Sequence, residues 1–131
     1  MEIPDPQNIS VRPETVDISK LKINKNECRE NSYDVAKENK NIELVEGVIL
    51  VIDDTDNAIA LAHFWNKIDE DHFDVTREMI ADSEEGKETK DVKYFITKVH
   101  KHTQFKNRNS IKFSKKTRDL ALALNNYLKE N

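Results

Sequence analysis

AHFWNKIDEDHFDVT, residues 62–76, holds the only tryptophan, two of the four histidines and an acid-rich turn between apolar segments. Read with a period of two, IALAHFWNKI (59–68) and HFDVT (72–76) are strands, rich in aromatic and β-branched residues and joined by a turn. Side chains alternate along a strand, so His63 and Trp65 share a face. With an even turn, Asp69-Glu70 alone or Ile68 to Asp71, Trp65 pairs with Asp74 and His63 with Thr76. His63 and Asp74 then become diagonal neighbours on one face, within reach of each other's side chains. An odd turn puts them on opposite faces. The parity of this turn therefore decides both the hairpin and whether an imidazole meets a carboxylate.

Outward from the hairpin, IELVEGVILVID (42–53) reads as a strand interrupted by Gly47, followed by a β-turn at DDTDN. That turn lacks the glycine and distal glutamate of a calcium loop. VKYFITKVHKH (92–102) reads as a further strand, and TRDLALALNNYLKE (117–130) as an amphipathic helix. NECRENSYDVAKEN (26–39) places Cys28, Ser32, Val35, Ala36 and Asn39 on one helical stripe, with Asn24 or Asn26 as N-cap and Cys28 in the first turn. Residues 1–20 contain all three prolines and read as an extended arm, leaving 21–131 as a single domain. ADSEEGKETKD (81–91) is a polar, acidic loop. The order of helix, mainly antiparallel strands and helix predicts an α+β fold.

The 131 residues suit one core, and 35% of them are charged. With no long apolar run, no membrane span is expected, and the acidic start MEIPDP lacks the basic and apolar regions of a signal peptide. A lone cysteine is the pattern of a reducing compartment, so a cytoplasmic location is expected. The net charge of −4 conceals a segregation: residues 1–89 hold 10 Lys/Arg against 22 Asp/Glu, and 90–118 hold 10 against 1. The basic segment alternates charge with apolar residues, as a solvent-facing strand would. It either attracts the acidic half of the same fold or offers a surface to an acidic partner.

A cysteine at a helix start, with a histidine held by an aspartate, suits nucleophilic catalysis through sulfur. Helix-end dipole and imidazolium favour the thiolate, the carboxylate fixes the imidazole tautomer, and a backbone N–H can serve as oxyanion donor. Cys28 opening a helix, His63 in HFWN and Asp74 in FDVT, in that order, resemble the core of transglutaminase-like proteins within the papain-like superfamily. Residues 26–76, with their V-E-G strand, are also similar to small uncharacterised members. The resemblance implies a papain-like (transglutaminase-like) core, with the Cys-bearing helix packed on a mainly antiparallel sheet and a C-terminal helix. It implies a Cys28–His63–Asp74 triad, with Cys28 as nucleophile, His63 as general base and acid, and Asp74 orienting His63. Trp65 and Asn66 become supporting positions, and Asn24, Asn26 or Gln7 becomes the source of a second oxyanion donor. The implied reaction is hydrolysis or acyl transfer on an amide, thioester or peptide substrate, without cofactor or metal.

The competing expectation is a catalytically inactive binding or adaptor domain on the same fold. It would use segment 90–118, with Tyr94, Phe95, Phe105 and Phe113, to hold an acidic protein or nucleic acid. There is no G-x-x-x-x-G-K phosphate loop and no cysteine pair for zinc. His100 and His102 would share a strand face but lack a third ligand nearby, and His72 reads as a surface residue at the edge of the turn.

Overall fold

The computed structural model describes residues 3–82 and 89–130, with side chains described for 3–78 and 91–130. Helix α1 (Cys28–Glu38) precedes strands β1 (Ile42–Asp53), β2 (Ala58–Ile68) and β3 (Asp71–Phe73), helix α2 (Val75–Asp82), strand β4 (Thr89–His100) and helix α3 (Lys115–Glu130). The strands form one antiparallel sheet in the order β3-β2-β1-β4. The fold is α+β, with an N-terminal and a C-terminal helix on a four-stranded antiparallel sheet. No helix among the described residues is long and apolar enough to cross a membrane. Most of the loop read at 81–91 lies outside the described residues.

The long hairpin β1–β2 closes on Asp53, whose Oδ1 accepts from the N–H groups of Thr55 (2.9 Å) and Asn57 (3.0 Å). An Asp at this position folds the chain back with its own side chain. On one face of the sheet, Ile42, Leu44 and Phe64 pack against Tyr33, Val35 and Ala36 of α1, together with Val16 of the N-terminal segment. Farther along, Val48, Ala60 and Phe95 receive Leu120 and Leu124 of α3. The opposite face holds a smaller cluster of Val45, Trp65 and Tyr94, covered by Ile9.

Two features set the geometry of that second cluster. A register shift between β1 and β4 falls at Glu46/Gly47. There a Cβ on Gly47 would stand 2.0 Å from the Phe95 carbonyl oxygen and 2.7 Å from Trp65 Cη2. Only glycine lets β4 and the indole approach so closely. The other feature is the short β3, which pairs only with residues 66–68 and leaves β2 an edge strand beyond Asn66. Asn125 of α3 covers part of that edge, exchanging both hydrogen bonds with the Ala60 backbone (2.8 and 2.9 Å).

The turn is even. Asn66 lies opposite Phe73, Lys67 opposite His72 and Ile68 opposite Asp71, around a two-residue turn of Asp69 (φ 51°) and Glu70. HFDVT is nevertheless a strand only as far as Phe73, and the expected pairing of His63 with Thr76 does not form. Asp74 instead caps α2, its Oδ1 accepting the Arg77 N–H (3.3 Å). An aspartate ahead of a run of helix-forming residues outweighs the β propensity of Val75 and Thr76.

Two other boundaries move. The N-cap of α1 is Glu27, which makes no side-chain capping bond, and not Asn24 or Asn26. Asn26 takes φ 65° to turn the chain into the helix, and Asn24 holds Asn31 through its backbone. The last strand ends at His100, and His102 begins a short 3-10 turn, so the two imidazoles do not share a strand face.

Candidate functional site

His63 points from β2 toward the chain reversal at Phe73–Val75. Its Nε2 lies 2.7 Å from Asp74 Oδ2. A carboxylate can only accept, so Nε2 carries the proton and Nδ1 is the nitrogen left for another partner. Cys28, the first residue of α1, lies near enough to the same imidazole to act on it electrostatically. Cysteine, histidine and aspartate from three separate parts of the chain are thus brought near one another. Cys28 is partly exposed, whereas His63 and Asp74 are 8% and 4% exposed.

Burial alone would make His63 less basic. The charge of Asp74, its hydrogen bond and the Cys28 contact outweigh that effect and raise the His63 pKa to about 10. The ring is therefore a cation at neutral pH. Burial would likewise push the Asp74 carboxyl up, but the His63 charge and bonds from His63, Tyr94 and the Arg77 N–H hold it below the usual range. Asp74 Oδ2 receives the Tyr94 hydroxyl at 2.7 Å as well as His63. Tyr94 stays protonated because burial and the adjacent Asp74 raise its pKa.

Trp65 stacks beside His63, with ring centroids 6.2 Å apart and 22° between planes, and meets Tyr94 edge-on at 5.0 Å. Its Nε1 donates to His72 Nδ1 at 3.0 Å. His72 is accordingly buried, correcting the surface position expected of it, and burial, followed by the charge of Lys67, lowers its pKa. Asn66 donates from Nδ2 to the carbonyls of Ser32 (2.9 Å) and Glu43 (3.3 Å), fastening α1 to β1 and β2.

Asn31 supplies a tie that helical periodicity did not single out. It donates to the Asn24 carbonyl (2.8 Å) and to Thr76 Oγ1 (2.9 Å), and accepts from the Asn24 N–H (3.1 Å). The turn before Cys28 and the first turn of α2 are pinned together by this one side chain, which fixes Cys28 relative to Asp74. Asn26 is exposed. Gln7 pairs with the backbone of Tyr94, its N–H donating to the Tyr94 carbonyl at 2.7 Å. A cavity of about 550 Å³ lies between residues 7–12 of the arm and Asp74, Arg77 and Tyr94.

Segment 90–118 folds partly back onto the acidic half: Arg108 pairs with Asp34 (3.1 Å) and Lys101 with Glu43 (3.5 Å). Tyr94 and Phe95 are buried, and Phe105 and Phe113 pack on the core around Phe64. Tyr94 and Phe95 therefore offer no stacking surface for bases, whereas Phe105 and Phe113 remain partly exposed. His100 bonds Glu46 at 2.9 Å, and among the described residues no group of three or more His, Cys, Asp or Glu side chains is placed to hold a metal ion. No family model matches the chain, and neither the curated proteins nor the solved structures contain a match.

Proposed function

We propose that the chain is a small cysteine hydrolase or acyltransferase with a papain-like, transglutaminase-like core, acting on an amide or thioester carbonyl. The observation that carries this reading is a buried imidazole clamped by Asp74 at 2.7 Å on one nitrogen, with the Cys28 thiol near enough to the ring to act on it electrostatically. In the ion-paired form the proton resides on His63 and the electron pair on the Cys28 sulfur. Sulfur attacks the carbonyl carbon, and its bond to the leaving nitrogen or sulfur breaks as His63 delivers the proton there. Water or an amine then takes the acyl group from Cys28, giving its own proton to His63. Asp74 keeps the ring in one tautomer throughout. The backbone N–H groups of the first turn of α1, at a helix start with no side-chain cap, are suited to receive the oxyanion.

The test is the rate of Cys28 alkylation by iodoacetamide at pH 6, where an isolated thiol is almost entirely protonated. A fast reaction in the native chain, slowed at least about tenfold in His63→Ala, is the expected result. Equal, slow rates in both proteins would remove the enzyme reading. A second reading, a catalytically inactive adaptor on the same fold, is favoured by the exposed Lys93, Lys98, Lys106, Lys112 and Lys116 of the basic segment. Its partner would be an acidic protein surface, and its signature would be binding that weakens steeply with salt.

A further inference from the structure

Tyr94 stands outside the three residues of the proposed triad, yet shares an oxygen with one of them. Asp74 is held by donors from three elements: His63 from β2 and Tyr94 from β4, both at 2.7 Å on Oδ2, and the Arg77 N–H of α2 on Oδ1. Rotation of a carboxylate about its Cβ–Cγ bond is soft and roughly two-fold. Its orientation is therefore decided by its donors. The Arg77 N–H fixes Oδ1 weakly at 3.3 Å, so the Tyr94 hydroxyl is the stronger restraint besides His63 itself.

We propose that Tyr94 is a positioning residue for His63, acting through Asp74. Its hydroxyl selects the carboxylate oxygen that faces the imidazole and draws off part of that oxygen's charge. This rests on the Cys28–His63–Asp74 reading. Tyr94 is 1% exposed, edge-on to Trp65, with its backbone carbonyl engaged by Gln7, so its hydroxyl is aimed before any substrate arrives. The groups facing the imidazole are Cys28 from α1, Asp74 at the head of α2 and Tyr94 from β4, with Arg77 of α2 beside the Tyr94 hydroxyl. With the hydroxyl removed, the whole charge of Oδ2 acts on His63. The imidazole then becomes more basic, and its ring less firmly oriented toward Cys28.

The experiment is a titration of the His63 imidazole by nitrogen NMR in the full chain and in Tyr94→Phe, with thermal unfolding and Cys28 alkylation followed in parallel. The expected result is a folded variant in which the proton affinity of His63 rises at least about threefold. Replacing Tyr94 by 3-fluorotyrosine keeps the volume and strengthens the donor, so the affinity should move the other way, which tests the idea even if Tyr94→Phe folds poorly. An unchanged His63 titration in either folded variant would overturn the proposal, whatever happens to the melting temperature. Slow alkylation of Cys28 in the native chain would instead remove the enzyme reading and leave the titration legible.

Discussion

Replacing Asp74 by Asn should abolish the fall in stability that His63 causes between pH 6.5 and 9. In the native chain the His63 pKa is raised from 6.5 to about 10. Its contribution is thus fully present below pH 6.5 and is lost as pH rises toward 10. In that window the folded state holds one proton that the unfolded state has released, which predicts a loss of about 1.4 kcal/mol per pH unit. Summed across the window this is on the order of 5 kcal/mol, comparable with the whole stability of a domain of this size. In Asp74→Asn the burial that disfavours the cation remains, whereas the charge that overcame it is gone. The folded pKa of His63 then no longer stands above 6.5, so the decline between pH 6.5 and 9 disappears and stability from this ring is lost only as pH falls below 6.5. Asparagine retains a carbonyl oxygen for the Arg77 N–H, so the start of α2 is preserved. Urea unfolding of both proteins at pH 6, 7, 8 and 9 reads the difference directly, because groups common to both cancel. Parallel pH profiles would refute the electrostatic account of the pair.

Two further substitutions test the frame that holds the site. Gly47→Ala would force a methyl to within 2.0 Å of the Phe95 carbonyl; because the obstacle is backbone, a loss of about 3 kcal/mol is expected in urea unfolding, with altered Trp65 fluorescence. A change within about 0.5 kcal/mol would show that the strands separate freely there. Glu46 is a buried carboxylate accepting from His100 Nε2, the Ser114 N–H and hydroxyl, and Thr117 Oγ1. Glu46→Gln places an amide N–H either against the Ser114 N–H or against His100 Nε2, where it is accommodated only if His100 gives up that proton and its charge-assisted bond, which predicts a loss of about 2–4 kcal/mol at pH 7. Burial would raise the Glu46 pKa, but the Ser114 and Thr117 bonds lower it below 4.5, so the native contribution is lost as pH falls through the lowered value. Equal stability of the variant and the native chain at pH 7 would contradict this.

The parts of this molecule that could be read from its sequence are those decided by neighbours in the chain. Alternation through IALAHFWNKI suffices to put His63 and Trp65 on one face, and the i, i+4, i+7 spacing of Cys28, Ser32 and Val35 suffices for α1. A glycine inside IELVEGVILVID marks a close approach in a strand, and the bulge is there. The residues that escaped are decided by partners distant in sequence. Nothing local distinguishes the polar Asn31 from a solvent-facing residue, since its partners are Asn24 and, 45 positions on, Thr76. His72 looked exposed beside an acidic turn, and is buried because the Trp65 indole needs an acceptor. Tyr94 joins the site only because the register shift at Glu46/Gly47 sets β4 against β1 as it does.

Asp74 shows why the boundary of the hairpin was the hardest point to place. At this residue the strand ends, a helix begins, and the imidazole and phenol arrive from two other strands. Its two oxygens divide the work: Oδ1 serves the local chain by capping α2, while Oδ2 serves the tertiary site by accepting from His63 and Tyr94. Local propensity saw only D-V-T, which suits a strand, because the demand that ends the strand is the cap and the demand that fixes the side chain is the buried cation. The cap holds the carboxylate at the head of α2, and Asn31 holds that same turn to the approach of Cys28. The elements that make the fold close are thus the ones that bring sulfur, imidazole and carboxylate together. A change that weakens the first turn of α2 should therefore loosen the Cys28–His63 contact before it unfolds the sheet.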